Sequence, residues 1–183
     1  MNTDNTATLP ASTMDTAREI SRASDHGQDD KAALRLWLRL LPLTTLVEQE
    51  LRSRLRQRFG ITLPQFDVMA ELDRAGEPQT MSALSRRLLV SGGNVTGVVD
   101  RLERDGYVER QPLPSDRRVQ LVALTAKGRS EFAAMAAAHE QWLGELFAGL
   151  PPDDLHTLHD LLGRAKAAVR NVVASALEPH GRS

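Results

Sequence analysis

Three consecutive charged residues, Asp116, Arg117 and Arg118, follow Pro114 and Ser115 in a short polar segment. Guanidinium groups bind phosphate and can enter the narrow, negative minor groove of DNA, and a neighbouring carboxylate can orient one of them. A charged hairpin tip is more often only solvated surface. The segment therefore needs a structural context before it indicates a nucleic-acid contact.

A second polar surface is predicted on a helix that begins near Ser91. The apolar residues of this helix recur three or four positions apart, at Val95, Val98, Val99 and Leu102. They predict a buried face, so small residues and hydrogen-bonding groups face outward. Such groups allow close approach to DNA, contacts to base edges and a phosphate contact, although two successive glycines can also simply make a tight start to an amphipathic helix. The candidate DNA-contacting residues are Ser91, Gly93, Asn94, Thr96, Gly97 and Arg101.

Catalytic chemistry finds little support in the sequence. His156 and His159 lie at helical spacing with Asp153 and Asp160 and could bind a metal, but no distant ligand set accompanies them. The chain has no cysteine, which excludes thiol nucleophiles and thiolate metal sites. No combination of nucleophile, base and orienting group stands out. We therefore expect no enzyme activity, no metal and no cofactor.

The net charge of −1 conceals an uneven distribution. Residues 1–30 carry six acidic side chains against two arginines, whereas residues 31–58 carry seven basic side chains against two glutamates. Residues 82–127 carry eight basic against five acidic side chains, which is a local basic footprint. No stretch approaches the ~20 apolar residues of a membrane span, and we expect a cytoplasmic protein without a membrane partner.

The elements that position these residues follow from hydrophobic periodicity. Residues 1–30 are polar and predict a mobile N-terminal arm that can hold a short helix over 14–23. Leucines spaced three or four apart predict a long helix over 31–60, interrupted or kinked at Pro42. Thr62, Thr80, Ser91 and Thr125 can each cap a following helix. Alternating residues predict strands over 107–111 and 119–124 with a turn over 112–117, and a last helix begins at 150–154.

Short helices followed by a hairpin, between long flanking helices, are typical of a winged helix-turn-helix, in which one helix enters the ~12 Å major groove. Four segments further resemble the MarR family of bacterial transcription regulators. They are residues 60–66, residues 82–88, the run Asn94 to Val108, and the wing with the following Leu124-Thr125-Ala126-Lys127-Gly128. The resemblance covers about residues 31–175.

This resemblance implies a mainly α fold with a small β-hairpin wing, in which a winged helix-turn-helix lobe over 61–125 lies within an interlocked helical dimer. Residues 31–60 and 126–176 form the dimerisation region, and 177–183 a C-terminal tail. Such a homodimer binds a pseudo-palindromic operator in double-stranded DNA. An intrachain core would show the same leucine periodicity, so the dimer rests on the resemblance alone.

Members of the family usually repress, and many leave DNA when a small aromatic carboxylic acid binds between the dimer helices and the DNA-binding lobe. Residues 34–41 resemble a branch that controls catabolism of hydroxycinnamates and related acids. An arginine among apolar residues can pair with a carboxylate while tryptophan and leucine enclose the ring. The candidate effector-binding residues are Arg39, Arg35, Trp37, Leu38, Phe66, Met69, Met81, His139 and Trp142. Phe66 and Met69 could equally be core residues, and Arg39 a surface charge.

The main alternative is a helical adaptor that binds a protein partner through its leucine-rich faces. An adaptor leaves Arg117 and Arg118 unexplained, and its binding would depend little on salt. A DNA-binding protein loses affinity steeply with salt because bound counterions are released.

Overall fold

The computed structural model describes residues 11–88 and 92–177. Most of this part of the chain is helical, and three strands form a small sheet. The elements in chain order are α1 (Ala11–Phe59), α2 (Leu63–Ala75), β1 (Gln79–Thr80), α3 (Met81–Leu88), α4 (Gly92–Arg104), β2 (Val108–Leu113), β3 (Asp116–Leu124), α5 (Ala126–Leu146) and α6 (Pro152–Leu177). None of the helices within the described residues is long and apolar enough to cross a membrane.

Helix α1 is longer than the sequence predicts. It begins at Ala11 and therefore runs through residues 11–30, which we expected to be mobile except for a short helix. Extending an existing helix costs far less than nucleating a new one, so the strong helical pattern after Lys31 can carry a weak preceding segment.

Pro42 does not end α1. Proline lacks the amide that would donate to the carbonyl of Leu38, and for this reason the sequence predicts an interruption. The helix continues nevertheless, and two hydroxyl groups bind the carbonyls that precede the proline. Thr45 donates to the carbonyl of Leu41 at 2.8 Å, and Thr44 contacts the carbonyls of Leu40 and Leu41 at 3.0 Å each.

The predicted ends of α2 are confirmed. The hydroxyl of Thr62 accepts from the amide of Gln65, and the Gln65 side chain accepts from the amide of Thr62 at 2.9 Å, which completes a capping box. Gly76 closes the helix in the left-handed conformation, with φ of 68°. Reciprocal capping of this kind fixes where the helix starts.

The sheet differs from the predicted hairpin in two ways. Strand β1 pairs antiparallel with β3, so the sheet has three strands in the order β1-β3-β2. Strands β2 and β3 extend to Leu113 and Asp116, which pair directly and leave only Pro114 and Ser115 as the turn. A register shift between Pro112 and Leu113 accommodates the proline, which the sequence predicts in the turn but which lies in β2.

The described part of the chain divides into two compact units, with the boundary between Arg54 and Leu55. The second unit holds the sheet, helices α2 to α6 and a continuous apolar core. Its fully buried side chains come from several helices and from β3, and they include Leu55, Met69, Leu84, Val99, Leu102, Val122 and Met135. Helices α3 and α4 and the β2–β3 hairpin pack against this core with their apolar faces, so their polar faces point outward.

Candidate nucleic-acid interface

Helix α4 has the two faces that its sequence predicts. Val95, Val99 and Leu102 are buried and Val98 is half-buried, whereas Thr96, Gly97 and Arg101 are exposed. Arg101 is held by an ion pair with Asp105, one turn further along, at 3.0 Å. Gly93 and Asn94 lie in the first turn of α4, and Ser91 lies outside the described residues.

The turn of the wing is fixed by its aspartate. Asp116 Oδ1 accepts a hydrogen bond from the backbone amide of Arg118 at 3.0 Å, so it shapes the backbone rather than orienting a guanidinium as we expected. Arg117 and Arg118 are both exposed. Among the described residues neither guanidinium pairs with an acid, which leaves two positive charges at the tip of the wing.

An arginine that sequence reasoning missed connects the wing to α4. Arg110 on β2 donates to Asp100 Oδ1 at 2.5 Å and to Glu103 Oε2 at 2.8 Å, and both acids belong to α4. The three charges are visible in the sequence, but only the packing of β2 against α4 brings them together. Before that packing is known, Arg110 looks like an ordinary solvated charge.

A second missed cluster holds α3 to α2. Glu71 on α2 is buried and accepts hydrogen bonds from Arg74 at 2.6 Å and from Arg87 on α3 at 2.9 Å. Burial raises the pKa of Glu71, but the hydrogen bonds and charges of the two arginines lower it by more, so the pKa lies below its usual range. The ionised carboxylate thereby fixes the first helix of the helix-turn-helix to its scaffold.

The base of the wing is joined to α5 at Thr125. The Thr125 hydroxyl donates to the carbonyl of Gly106 at 2.8 Å and accepts from the amide of Gly128 at 2.9 Å. Lys127 Nζ donates to the carbonyl of Asp105 at 2.7 Å and lies 4.6 Å from the centre of the Tyr107 ring. Burial, together with the charges of Glu131 and Asp105, raises the pKa of Tyr107.

The predicted effector-binding residues fall into two groups. Arg35, Trp37, Leu38 and Arg39 are exposed on α1, in the first of the two units. The other group lies in the second unit, where Met81 is half-buried. Phe66, Met69 and Trp142 are buried in the same unit, and His139 is half-buried.

Within the second unit, His139 and Phe66 are brought together. Their rings stack with centroids 4.6 Å apart, and Phe66 also contacts Phe132 at 5.5 Å. Burial lowers the pKa of His139, which favours the neutral ring. Trp142 packs against Phe59 at 6.2 Å. The burial of Phe66 and Met69 matches the core interpretation that the sequence left open for these two residues.

A separate groove of about 260 Å³ opens between the end of α2 and the sheet. Asp73, Pro78, Glu109 and Arg129 are among its lining residues. None of the predicted effector-binding residues lines it, so this groove is distinct from the effector site that the sequence predicts.

The comparisons with known proteins agree with this architecture. The MarR family profile matches residues 59–119, from the end of α1 to the wing. A transcriptional activatory protein, BadR of Rhodopseudomonas palustris, is 35% identical over 146 residues, which cover 76% of this chain and 83% of the relative. The chain belongs to the MarR family.

Two further similar proteins support the assignment. The helix-turn-helix transcriptional regulator YkoM of Bacillus subtilis is 36% identical over 106 residues, covering 58% of this chain and 68% of the relative. The crystal structure of wild-type MarR from E. coli in its apo form superposes with a TM-score of 0.62 and 32% identity, covering 69% of this chain and 94% of MarR. This MarR-family chain is therefore a winged-helix transcription regulator and not an enzyme.

Proposed function

We propose that this MarR-family regulator binds a pseudo-palindromic operator as a homodimer and represses an operon of aromatic-acid catabolism. A small aromatic or heteroaromatic carboxylic acid, or its coenzyme A thioester, releases it from DNA. Because the operator lies on the chromosome, the protein acts in the cytoplasm. The observation that carries the DNA-binding part is the pair of exposed guanidiniums at the wing tip, which have no acidic partner within residues 11–88 and 92–177, beside a helix with a small, polar outer face.

In the proposed complex α4 enters the major groove and the wing reaches the neighbouring minor groove. Thr96 and Asn94 contact base edges, and the glycines at 93 and 97 allow the helix to approach closely. Arg101 contacts phosphate, and Arg117 and Arg118 enter the minor groove, where Asp116 maintains the turn. Ser91 completes the proposed contact set.

The homodimer is supported by apolar surface that a single chain leaves exposed. On α6 this surface forms one stripe, because its members recur at helical spacing. Exposed stripes of this size mark protein interfaces. The exposed residues of the stripe are Leu155, Leu161, Leu162, Val169, Val172 and Val173.

Helix α1 adds a second apolar surface of a different kind. Successive residues of an α-helix are about 100° apart, and by this rule the exposed apolar residues between 34 and 46 fall on several faces. Exposed apolar surface of this extent normally marks a protein interface. We infer that a second copy covers this part of α1, whose exposed residues are Leu34, Leu36, Trp37, Leu38, Leu41, Leu43 and Leu46.

The proposed anchor of the effector is Arg39, together with Arg35 one turn before it. Both side chains are exposed, and within the described residues neither has an acidic partner. Further along α1, by contrast, Arg52 pairs with Glu48 and Arg54 with Glu50. Like charges at this spacing repel each other, and a bound carboxylate would remove the repulsion. Trp37 and Leu38 supply apolar contacts for a ring, while Phe66, Met69, Met81, His139 and Trp142 stay predicted members of the site.

The mechanism that we propose is reciprocal coupling. Operator and effector favour different separations of the two copies of α4, so each ligand weakens binding of the other by the same factor. We propose that the protein represses transcription, whereas the relative BadR is named as a transcriptional activatory protein. The sign of regulation depends on where the operator lies relative to the promoter, which a transcription assay reads directly.

The test is selection of bound duplexes from fragmented bacterial genomic DNA, repeated with hydroxycinnamic, hydroxybenzoic and pyridine carboxylic acids and their coenzyme A thioesters. We expect enrichment of a palindrome that is lost with one of these compounds. Enrichment that no compound changes would contradict the effector part alone. No enrichment at low salt would contradict the DNA-binding part and favour the adaptor.

A further inference from the structure

We propose that Arg110 is a positioning residue that fixes the wing relative to α4, so that the two DNA-contacting elements bind as one rigid unit. The inference rests on the proposed binding mode, in which α4 occupies the major groove and the wing the minor groove. Arg110 itself contacts no DNA in this account. It acts through Asp100 and Glu103, with which it forms a three-charge cluster (Asp100, Glu103 and Arg110).

The geometry of the three-charge cluster suits arginine specifically. Asp100 and Glu103 are three residues apart and therefore lie on one face of α4. One nitrogen of Arg110 donates to each carboxylate, at 2.5 Å and 2.8 Å. The rigid planar guanidinium can satisfy two acceptors at fixed positions at once, whereas the single ammonium group of lysine imposes no such orientation.

The environment of the cluster strengthens these hydrogen bonds. Only 23% of the Arg110 side chain is exposed, against 49% for Asp100 and 40% for Glu103. Charge-assisted hydrogen bonds with a largely shielded donor are stronger than those of solvated surface pairs. The two ion pairs of Arg110 with Asp100 and Glu103 thus hold β2 to α4.

We expect the lobe to fold without Arg110. Helix α4 and strand β2 pack against each other, and Leu102 and Val108 next to this contact are buried. Strand β2 also pairs with β3 over its whole length. Loss of Arg110 should therefore loosen the angle between the wing and α4 while the lobe stays folded.

Removal of Arg110 also has a purely electrostatic effect that the experiment must separate. Without the Arg110 guanidinium, the negative charges of Asp100 and Glu103 on α4 would no longer be neutralised and would repel DNA phosphates. The triple variant Arg110→Met, Asp100→Asn, Glu103→Gln removes this repulsion and also removes the connection. Repulsion alone predicts recovery of binding in the triple variant, whereas positioning predicts none.

The experiment compares full-length wild type, Arg110→Met, Arg110→Lys and the triple variant on a duplex obtained by the genomic selection. Arg164→Met on α6 is the control that removes an exposed guanidinium elsewhere. Binding affinity is measured together with two footprints on the same complexes. Hydroxyl-radical cleavage reports the minor groove and the sugars, and methylation of guanine N7 reports the major groove, where that atom is exposed.

We expect Arg110→Met to lose about tenfold or more in affinity, the scale of a hydrogen-bonded charged group. Its minor-groove protection should weaken while protection of guanine N7 persists at saturating protein. The triple variant should behave like Arg110→Met, Arg110→Lys should be intermediate, and Arg164→Met should match wild type. Thermal unfolding should stay cooperative in all variants.

Three results would overturn the proposal. They are unchanged affinity and footprints in Arg110→Met, full recovery in the triple variant, or equal loss of both footprints at saturating protein. A wild-type protein that binds no duplex would instead contradict the proposed function, and the positioning role with it. The wild-type footprints therefore distinguish failure of the positioning role from failure of the proposed DNA-binding function.

Discussion

Gly128, in the first turn of α5, packs directly against the carbonyl group of Tyr107 at the base of the wing. A Cβ atom at position 128 would lie far inside contact distance of the Tyr107 oxygen and carbon atoms. The amide of Thr125 donates to the same carbonyl oxygen at 3.0 Å. The Leu124-Thr125-Ala126-Lys127-Gly128 segment is therefore a close backbone crossing between α5 and the turn before β2.

Gly128→Ala should destabilise the protein by about 1–3 kcal/mol, because an inserted methyl group in a tight contact forces the backbone apart. Gly144→Ala is the matched control, since it lies in the same helix with open space around its Cα. There alanine should be neutral or stabilise by up to about 1 kcal/mol. Urea unfolding gives both values, and equal stability of the two variants would contradict the crossing.

The Glu71 cluster predicts a loss of stability in acid. The pKa of Glu71 is lowered in the folded protein from its ordinary value of 4.5, so the unfolded chain takes up the proton first. Its contribution is therefore fully present above about pH 4.5 and is lost as the pH falls through the folded pKa.

Glu71→Gln should lower the free energy of unfolding at pH 7 by about 1–3 kcal/mol and should flatten its decline below pH 4.5. Glu77→Gln removes the same charge from an exposed site and serves as the control. Urea unfolding at several pH values measures both effects. A decline in Glu71→Gln as steep as in wild type would contradict the role of this carboxylate.

Arg118→Ala should weaken operator binding by about 1–3 kcal/mol, because the wing loses a guanidinium from the minor groove. Fold stability should change little, since the side chain is exposed and unpaired among the described residues. Arg164→Ala on α6 removes the same charge and should leave binding unchanged. Gel-shift titration compares them, and wild-type affinity in Arg118→Ala would remove the wing from the account.

Arg39→Ala should leave operator affinity intact but blunt release by the acid effector, because the carboxylate loses its cationic partner. Arg56→Ala, at another exposed position of α1, should respond like wild type. Operator binding is titrated with the acid that the selection identifies. A normal response in Arg39→Ala would show that the acid is anchored elsewhere.

Local signals in the sequence predict much of this fold. Thr62 with Gln65, Thr80 and Thr125 cap the helices they were expected to cap, because capping depends on residues within one turn. The buried positions 95, 99 and 102 follow from helical periodicity for the same reason. Strand β1 was missed, since two residues give no period and its pairing with β3 is a long-range contact.

The charged contacts of the interface could not be predicted in the same way. Glu71 with Arg87, and Arg110 with Asp100, join different elements, and their pairing follows only once those elements pack. Asp116 was expected to hold a guanidinium, but a short aspartate side chain in a tight turn reaches the amide two residues later, a common local arrangement. The sequence therefore predicts which surface matters and leaves open which charges shape it.

The most direct test of the account is the dependence of operator affinity on half-site spacing. In the proposed dimer two copies of α4 meet successive major grooves about 34 Å apart, on one side of the duplex. Inserting about five base pairs, half a helical turn, between the half-sites moves them to opposite sides. We predict that the affinity then falls to that of a single half-site, and that a ten-base-pair insertion is tolerated better. Equal affinity for the original and the five-base-pair spacing would contradict the dimeric, two-groove binding mode.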